Sequence, residues 1–361
     1  MFGEVVDYHI PSVEDREIDG QGELLLFPGI TDPHICFGAV GSENWNLAVQ
    51  SAVRGGITTA IEVPNASLPH STKEELQQKD REIVKSLSHL QIPFRYTQYL
   101  FYSDANVEKV DQLGLEKSLV KGLVIHVAPN KKNDLDPKWE RLFRAAAQQD
   151  IPLVFNAFHE NRPQPGTEDK QHPSLLEKVI DCVEKCGNRL YVLNVAMQDE
   201  IQLIQSARKK ELLVYAETTP QHLFSEDAAQ TDYLWDALNR DLIETIGSGY
   251  DANQPSRTRA VYHGANFGFL DPVFLLPLLL TAVREKKITL DKLIQVTSLN
   301  IQDILGFEKN SDFVLVDLKK EQTVRKISAG RATEVTLIGW PVYTIIQGSL
   351  FAAPQTGYRL E

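Results

Sequence analysis

An α/β chain built as a (β/α)8 TIM barrel, with a small β-sandwich domain assembled from both termini, is the fold class this sequence predicts. Three observations predict it. Short β-branched and aromatic runs alternate with helical stretches between Ile30 and Asp251, which argues for βαβ units and a parallel sheet. The runs are Ile30–Phe37, Thr58–Asn65, Pro93–Phe101, Gly122–Ala128, Ile151–Phe158, Leu190–Val195, Leu212–Thr218 and Leu242–Gly249. That is the strand number of a (β/α)8 barrel, whose chemistry sits at the C-terminal strand ends. Strand character also appears outside this stretch, near both ends of the chain.

The elements follow in order. Val5–Tyr8 and Glu23–Phe27 read as short strands ahead of the first run. Ser174–Cys186 reads as a helix, and so do Asp271–Glu285 and Leu290–Leu305 after the last run. Strands return at Asp312–Asp317, Glu334–Ile338 and Val342–Gln347, with turn chemistry at Gly339-Trp340-Pro341 and Gln347-Gly348-Ser349. Neither terminal piece has enough strands to bury a face alone, so the two are expected to join. The boundaries are 1–28 and 309–361 for the small β domain and 29–308 for the barrel. The stretch from Pro163 to Lys170 is the most loop-like and follows the fifth run, where a barrel places contacting loops.

Composition narrows the function classes. Of 361 residues, 42% are hydrophobic and 24% charged, ordinary for a globular protein. A net charge of −12 with only short, separated basic pairs argues against nucleic acid. The first residues lack a basic n-region and apolar core, so no secretory signal is expected. The apolar run Phe274–Leu280 is too short to span a bilayer, so no membrane is expected either. Three cysteines fit a reducing cytoplasm better than a disulfide framework, with Cys182 and Cys186 read as structural thiols. No Ser-His-Asp grouping, Walker loop or dinucleotide fingerprint occurs.

The strand ends carry His34, Cys36, Asn65, His126, Asn156, Asn194, Thr218 and either Gly249 or Asp251. His34, Cys36 and His126 are the candidate metal ligands, since three protein ligands and a water make a recognised zinc arrangement. The other reading open to them is two hydrogen-bonded histidines and a small apolar thiol in a packed mouth. The cofactor is therefore none, or a single zinc. Asn65, Asn156 and Asn194 are candidate substrate-binding groups, because amides hydrogen-bond without gripping metal; the last two can also satisfy each other. Glu217 ends the seventh run, where it serves as an acid or base or faces outward by strand alternation. His159 and His222 read as polar surface or supporting groups.

The segment Phe27-Pro28-Gly29-Ile30-Thr31-Asp32-Pro33-His34-Ile35-Cys36 resembles the first-strand signature of the cyclic amidohydrolases, dihydroorotases in particular. Gly55-Gly56-Ile57-Thr58-Thr59, Val63-Pro64-Asn65, Thr219-Pro220-Gln221-His222-Leu223, Leu276-Pro277-Leu278, Thr297-Ser298-Leu299-Asn300 and Ser311–Asp317 resemble later family segments in the same order. The resemblance implies two divalent metals bridged by a carboxylated lysine and held by His-x-His, two further histidines and an aspartate. Such metals activate water and polarise the amide, and the aspartate shuttles a proton.

Carried onto this chain, the set is depleted. His34 survives, while the second histidine is Cys36. The bridging lysine falls at His126, and Lys121 precedes the strand. The remaining histidines become Asn156 and Asn194, weak zinc ligands. The aspartate is Gly249 on a gapless reading or Asp251 after a shift of two. A family arginine is Gly38. The resemblance thus implies a dihydroorotase-like homologue with a degenerate metal site, kept for assembly. It permits a homo-oligomer or a pyrimidine-biosynthesis partner such as aspartate transcarbamoylase. The other reading is an active cyclic-amide hydrolase on a mononuclear or unconventional site, with Asp251 as its catalytic carboxylate.

Overall fold

The structure, a computed structural model, describes residues 20, 22–64, 73–104, 106–108, 120–126, 137–156, 171–225, 227–253, 259–262, 265–268, 271–307, 311–328 and 331–352. Strand β1 (Leu24–Pro28) leads into β2 (Ile30–Cys36), β3 (Ile57–Glu62), β4 (Arg95–Gln98) and β5 (Leu100–Ser103). Then come β6 (Leu123–His126), β7 (Leu153–Asn156), β8 (Leu190–Leu193), β9 (Val214–Thr218), β10 (Thr245–Ile246) and β11 (Tyr250–Asp251). From β2 onward these form two parallel sheets, ordered β11-β2-β3-β4 and β10-β9-β8-β7-β6-β5. Helices such as Glu43–Arg54, Pro137–Gln148 and Gln198–Lys209 separate them. Each run expected from the sequence contains strand residues.

The chain changes sheet twice within a run. Tyr99 N–H donates to Glu62 O at 3.0 Å, and Leu100 N–H, one residue on, donates to Gly122 O at 3.0 Å. Likewise Gly247 N–H reaches Thr218 O at 3.1 Å and Gly249 N–H reaches His34 O at 2.9 Å. The last run is thus no single strand from 242 to 249: it pairs at 245–246 and jogs, and the chain pairs again at 250–251, just past its end. Gly249 turns the jog at φ 63°, a left-handed conformation that glycine adopts without a Cβ penalty.

Strand alternation puts apolar side chains on both faces, as parallel sheets covered by helices require. On one face Ile61, Tyr99, Phe101, Val124, Val154, Tyr191 and Leu193 form a cluster with Ile301, Ile304 and Leu305. On the other, Leu123, Ile125, Leu153, Phe155, Leu190 and Val192 pack with helix residues such as Trp139, Leu142 and Val183. Burying each such Leu, Ile or Phe stabilises the fold by about 2 kcal/mol.

The terminal strands form one antiparallel sheet. Strands β12 (Arg259–Tyr262), β13 (Ala265–Gly268), β14 (Phe313–Ser328), β15 (Arg331–Ile346) and β16 (Ser349–Ala352) run in the order β13-β12-β14-β15-β16. Strand β1 pairs with the first part of β14, Leu26 opposite Leu315, and β12 pairs with its far end. Among the described residues this unit is a single sheet, not the expected sandwich; Val5–Tyr8 lies outside the described residues. The hairpin of β12 and β13, inside the 29–308 stretch, joins this sheet because the long β14 offers it an edge.

The helix after β13 is tied to the first helix. Asp271 caps its start, accepting from Val273 N–H at 3.1 Å and from the Ser51 hydroxyl of helix Glu43–Arg54. Burial pushes the Asp271 carboxyl up to about 6, against the lowering effect of its hydrogen bonds from Ser51 and Val273. The folded state therefore holds this proton more tightly than the unfolded chain, so its contribution is present at low pH. That contribution is lost as pH rises from about 4 through about 6. Asp271→Asn, neutral throughout with the same acceptor, should lack this fall when urea midpoints are compared across the window. An unchanged slope would remove Asp271 as its source.

Candidate functional site

The C-terminal ends of the parallel strands bring the site together. Strand β2 carries Asp32, His34 and Cys36; a register shift against β3 between Asp32 and Ile35 interrupts its alternation, and hydrogen bonds bring Asp32 to the His34 backbone. Asp32 is fully buried; its Oδ1 accepts from His34 N–H at 3.0 Å and Ser248 N–H at 2.9 Å. Its Oδ2 has no hydrogen-bond partner among the described residues. Burial pushes this carboxyl up to about 6, although the hydrogen bonds from Ser248 and His34 pull it down.

His34, 8% exposed, lies with Nδ1 3.2 Å from Glu217 Oε1. Burial opposes a charge on the ring, but the Glu217 carboxylate, its hydrogen bond and Asp32 outweigh it, so the imidazole pKa lies above its ordinary value. Glu217 is fully buried and its Oε2 accepts from Asn194 N–H at 2.6 Å. Of the two orientations open to Glu217 in the sequence, the structure adopts the inward one. Gly247 makes room for it: a Cβ there would lie 2.5 Å from Glu217 Oε1 and 2.8 Å from His34 Cβ.

Asn156 ends β7 and Asn194 follows β8, and Asn194 Nδ2 donates to Asn156 Oδ1 at 2.9 Å. Asn194 stands at φ 61°, in the left-handed region that Asn tolerates better than most side chains. Asn65 and His159 lie outside the described residues. His222 is buried rather than on the surface.

Gly249 N–H donates to His34 O, and Asp251 pairs with the first parallel strand opposite Cys36. Its Oδ1 accepts from Asn253 N–H at 2.9 Å and Nδ2 at 3.0 Å, and the same amide lies 3.5 Å from Cys36 Sγ. Burial, then the Glu62 and Asp251 carboxylates, push the Cys36 thiol up to about 12. Glu62 itself points to the helix layer, where it meets Lys79 and the Tyr96 hydroxyl.

His126 is exposed at the end of β6, its ring centroid 6.1 Å from that of Phe101. Lys121 stacks over Phe307 at 4.6 Å, beyond the opposite end of that strand, and does not supply a bridging group. Among the described residues, no group of three or more His, Cys, Asp or Glu is placed to hold a metal ion. The donors described are His34, tied to a carboxylate, Cys36, Asp251, the exposed His126 and two amides bonded to each other, and among the described residues they do not gather into a binuclear centre.

Asp32, Gly247 and Ser248 are the members of this network that residue types alone did not single out. The one signal was the place of Asp32 two residues before His34 in Asp32-Pro33-His34, where an Asp side chain accepts from the backbone N–H two residues on.

No protein-family model matches the chain. It is 24% identical to the dihydroorotase of Bacillus subtilis (strain 168), over 92% of this chain and 88% of that protein. Among solved structures it is similar to the L-hydantoinase (dihydropyrimidinase) of Arthrobacter aurescens, with a TM-score of 0.71 and 19% identity over 97% of this chain and 90% of that one. It is also similar to the inactive dihydroorotase-like domain of the Chaetomium thermophilum CAD-like multifunctional protein. There the TM-score is 0.66, with 18% identity over 91% of this chain and 94% of that one. In sequence the chain is thus similar to dihydroorotases, and its α/β fold is that of the hydantoinases.

Proposed function

We propose that this chain is a dihydroorotase-like amidohydrolase homologue that has lost binuclear metal hydrolysis and serves a structural or assembly role in pyrimidine biosynthesis. The observation that carries the reading is the Asn156–Asn194 pair, bonded at 2.9 Å where the resemblance puts two histidine ligands. Neutral amides keep hydrogen bonding and give up zinc affinity. In this reading the two parallel sheets are one (β/α)8 barrel within residues 29–308. Its support is that the chain around Tyr99 and Gly247–Gly249 hydrogen-bonds to both sheets. Residues 1–28 and 309–361, with the added β12–β13 hairpin, make the small β domain.

The protein acts in the cytoplasm as a homo-oligomer or against a pathway enzyme such as aspartate transcarbamoylase. An inactive dihydroorotase-like domain of a multifunctional protein among the similar structures supports this role. No helix among the described residues is long and apolar enough to cross a membrane.

One contact favours the alternative, a cyclic-amide hydrolase on a mononuclear zinc site drawn from His34, Cys36 and His126, with Asp251 as the catalytic carboxylate. Histidine ligands of metals almost always donate their second ring N–H to an acceptor, a carboxylate among them, as His34 Nδ1 is placed to do toward Glu217.

Metal analysis of protein purified without chelator, beside dihydroorotate and hydantoin turnover, separates the two. The proposal expects no turnover and a change in aspartate transcarbamoylase stability or activity on mixing. Stoichiometric zinc and turnover that vanish together in Cys36→Ala would establish the alternative. Asn156→His alone is expected to restore no dihydroorotate hydrolysis, because a bimetal set acts as a unit; measurable turnover in that variant would show a centre one ligand from completion.

A further inference from the structure

We infer that Glu217 is the positioning residue of the mouth and that it fixes which nitrogen of His34 carries the proton. The argument counts donors and acceptors and holds whether or not the site is catalytic. A carboxylate only accepts, and it offers two oxygens. Glu217 Oε2 is committed to a backbone donor that cannot change, Asn194 N–H at 2.6 Å. Oε1 faces His34 Nδ1 at 3.2 Å. An acceptor opposite Nδ1 demands a proton there, so the neutral ring is held as the Nδ1–H form with its lone pair on Nε2. The backbone fixes the ring's place independently, since Asp32 Oδ1 accepts from His34 N–H and Ser248 N–H. Gly247 completes the device, because a Cβ there would fall 2.5 Å from Glu217 Oε1. Four strand ends thus converge on one imidazole, and their product is a defined lone pair. While the ring is neutral, a ligand meeting Nε2 must bring a hydrogen-bond donor or a cation.

The isosteric variant gives an inverted result. In Glu217→Gln the amide oxygen must still accept from Asn194 N–H, since the backbone has no other form. Its NH2 then faces His34 Nδ1 and donates to it, which forces the ring proton to Nε2. All three groups stay satisfied, so the variant is expected to fold.

The experiment is 15N chemical-shift measurement on the full chain with labelled histidine, with pH raised until the His34 shifts stop changing, so that the ring is neutral. His34 is assigned by its loss in His34→Gln. The native protein should show protonated Nδ1 and bare Nε2, and Glu217→Gln the reverse. A merely structural role for Glu217 would change stability without exchanging the two nitrogens. Native His34 protonated at Nε2, or a tautomer unchanged in Glu217→Gln, would overturn the inference. The first of these needs no variant.

Discussion

Glu217→Ala is expected to cost about 3 kcal/mol of stability, because two buried donors lose their acceptor at once and each orphaned donor costs about 1–3 kcal/mol. The donors are His34 Nδ1–H and Asn194 N–H, served by the two oxygens of one fully buried carboxylate. Removing a buried charge also removes its desolvation cost, which keeps the loss from being larger. The check is a double-mutant cycle by denaturant unfolding. His34→Ala should cost less in the Glu217→Ala background than in the native one, by about 1–2 kcal/mol of coupling. Additive losses would mean that the 3.2 Å contact contributes no interaction of its own.

A second large effect is expected at Gly55, which closes helix Glu43–Arg54. A Cβ there would stand 2.1 Å from the carbonyl oxygen of Pro272 and 2.8 Å from its carbon. Backbone cannot swing aside as a side chain can, and Asp271 holds Pro272 to the same helix through Ser51. Gly55→Ala should therefore lose about 3 kcal/mol, the upper end for overpacking, and lower Tm by roughly 5 °C or more. Its φ is −79°, so the penalty is contact and not backbone strain. Gly20, where a Cβ would meet only the Leu24 side chain at 3.3 Å, serves as the tolerant control. Equal stability of both variants would show that this junction opens readily.

Gly55 also shows why part of the molecule was legible in the sequence. In Gly55-Gly56-Ile57-Thr58-Thr59 the first glycine admits a neighbouring backbone and the second takes φ 88°. The strand Ile57–Glu62 is then buried along its whole length. Each of those requirements is local, so each leaves a residue type at a fixed offset. The same holds for Asp271 at its cap and for the β-branched runs between helices. Less legible was the last parallel run. Leu242–Gly249 reads as one apolar strand, yet it splits at Gly247–Gly249 because its two halves hydrogen-bond to different neighbours, Thr218 and His34. That division depends on partners far away in the chain.

The sequence by itself determined an alternation of parallel strands and helices, strands from both ends of the chain for a second sheet, and a strand-end inventory poor in histidine. Those follow from hydrophobic spacing and residue identity, which act over a few positions. Only the tertiary structure decided that Glu217 turns inward to His34, that Asp251 stands beside Cys36, and that Asn194 bonds Asn156. Period-two alternation says which residues share a face, but neighbouring strands decide which face looks inward and which strand ends meet.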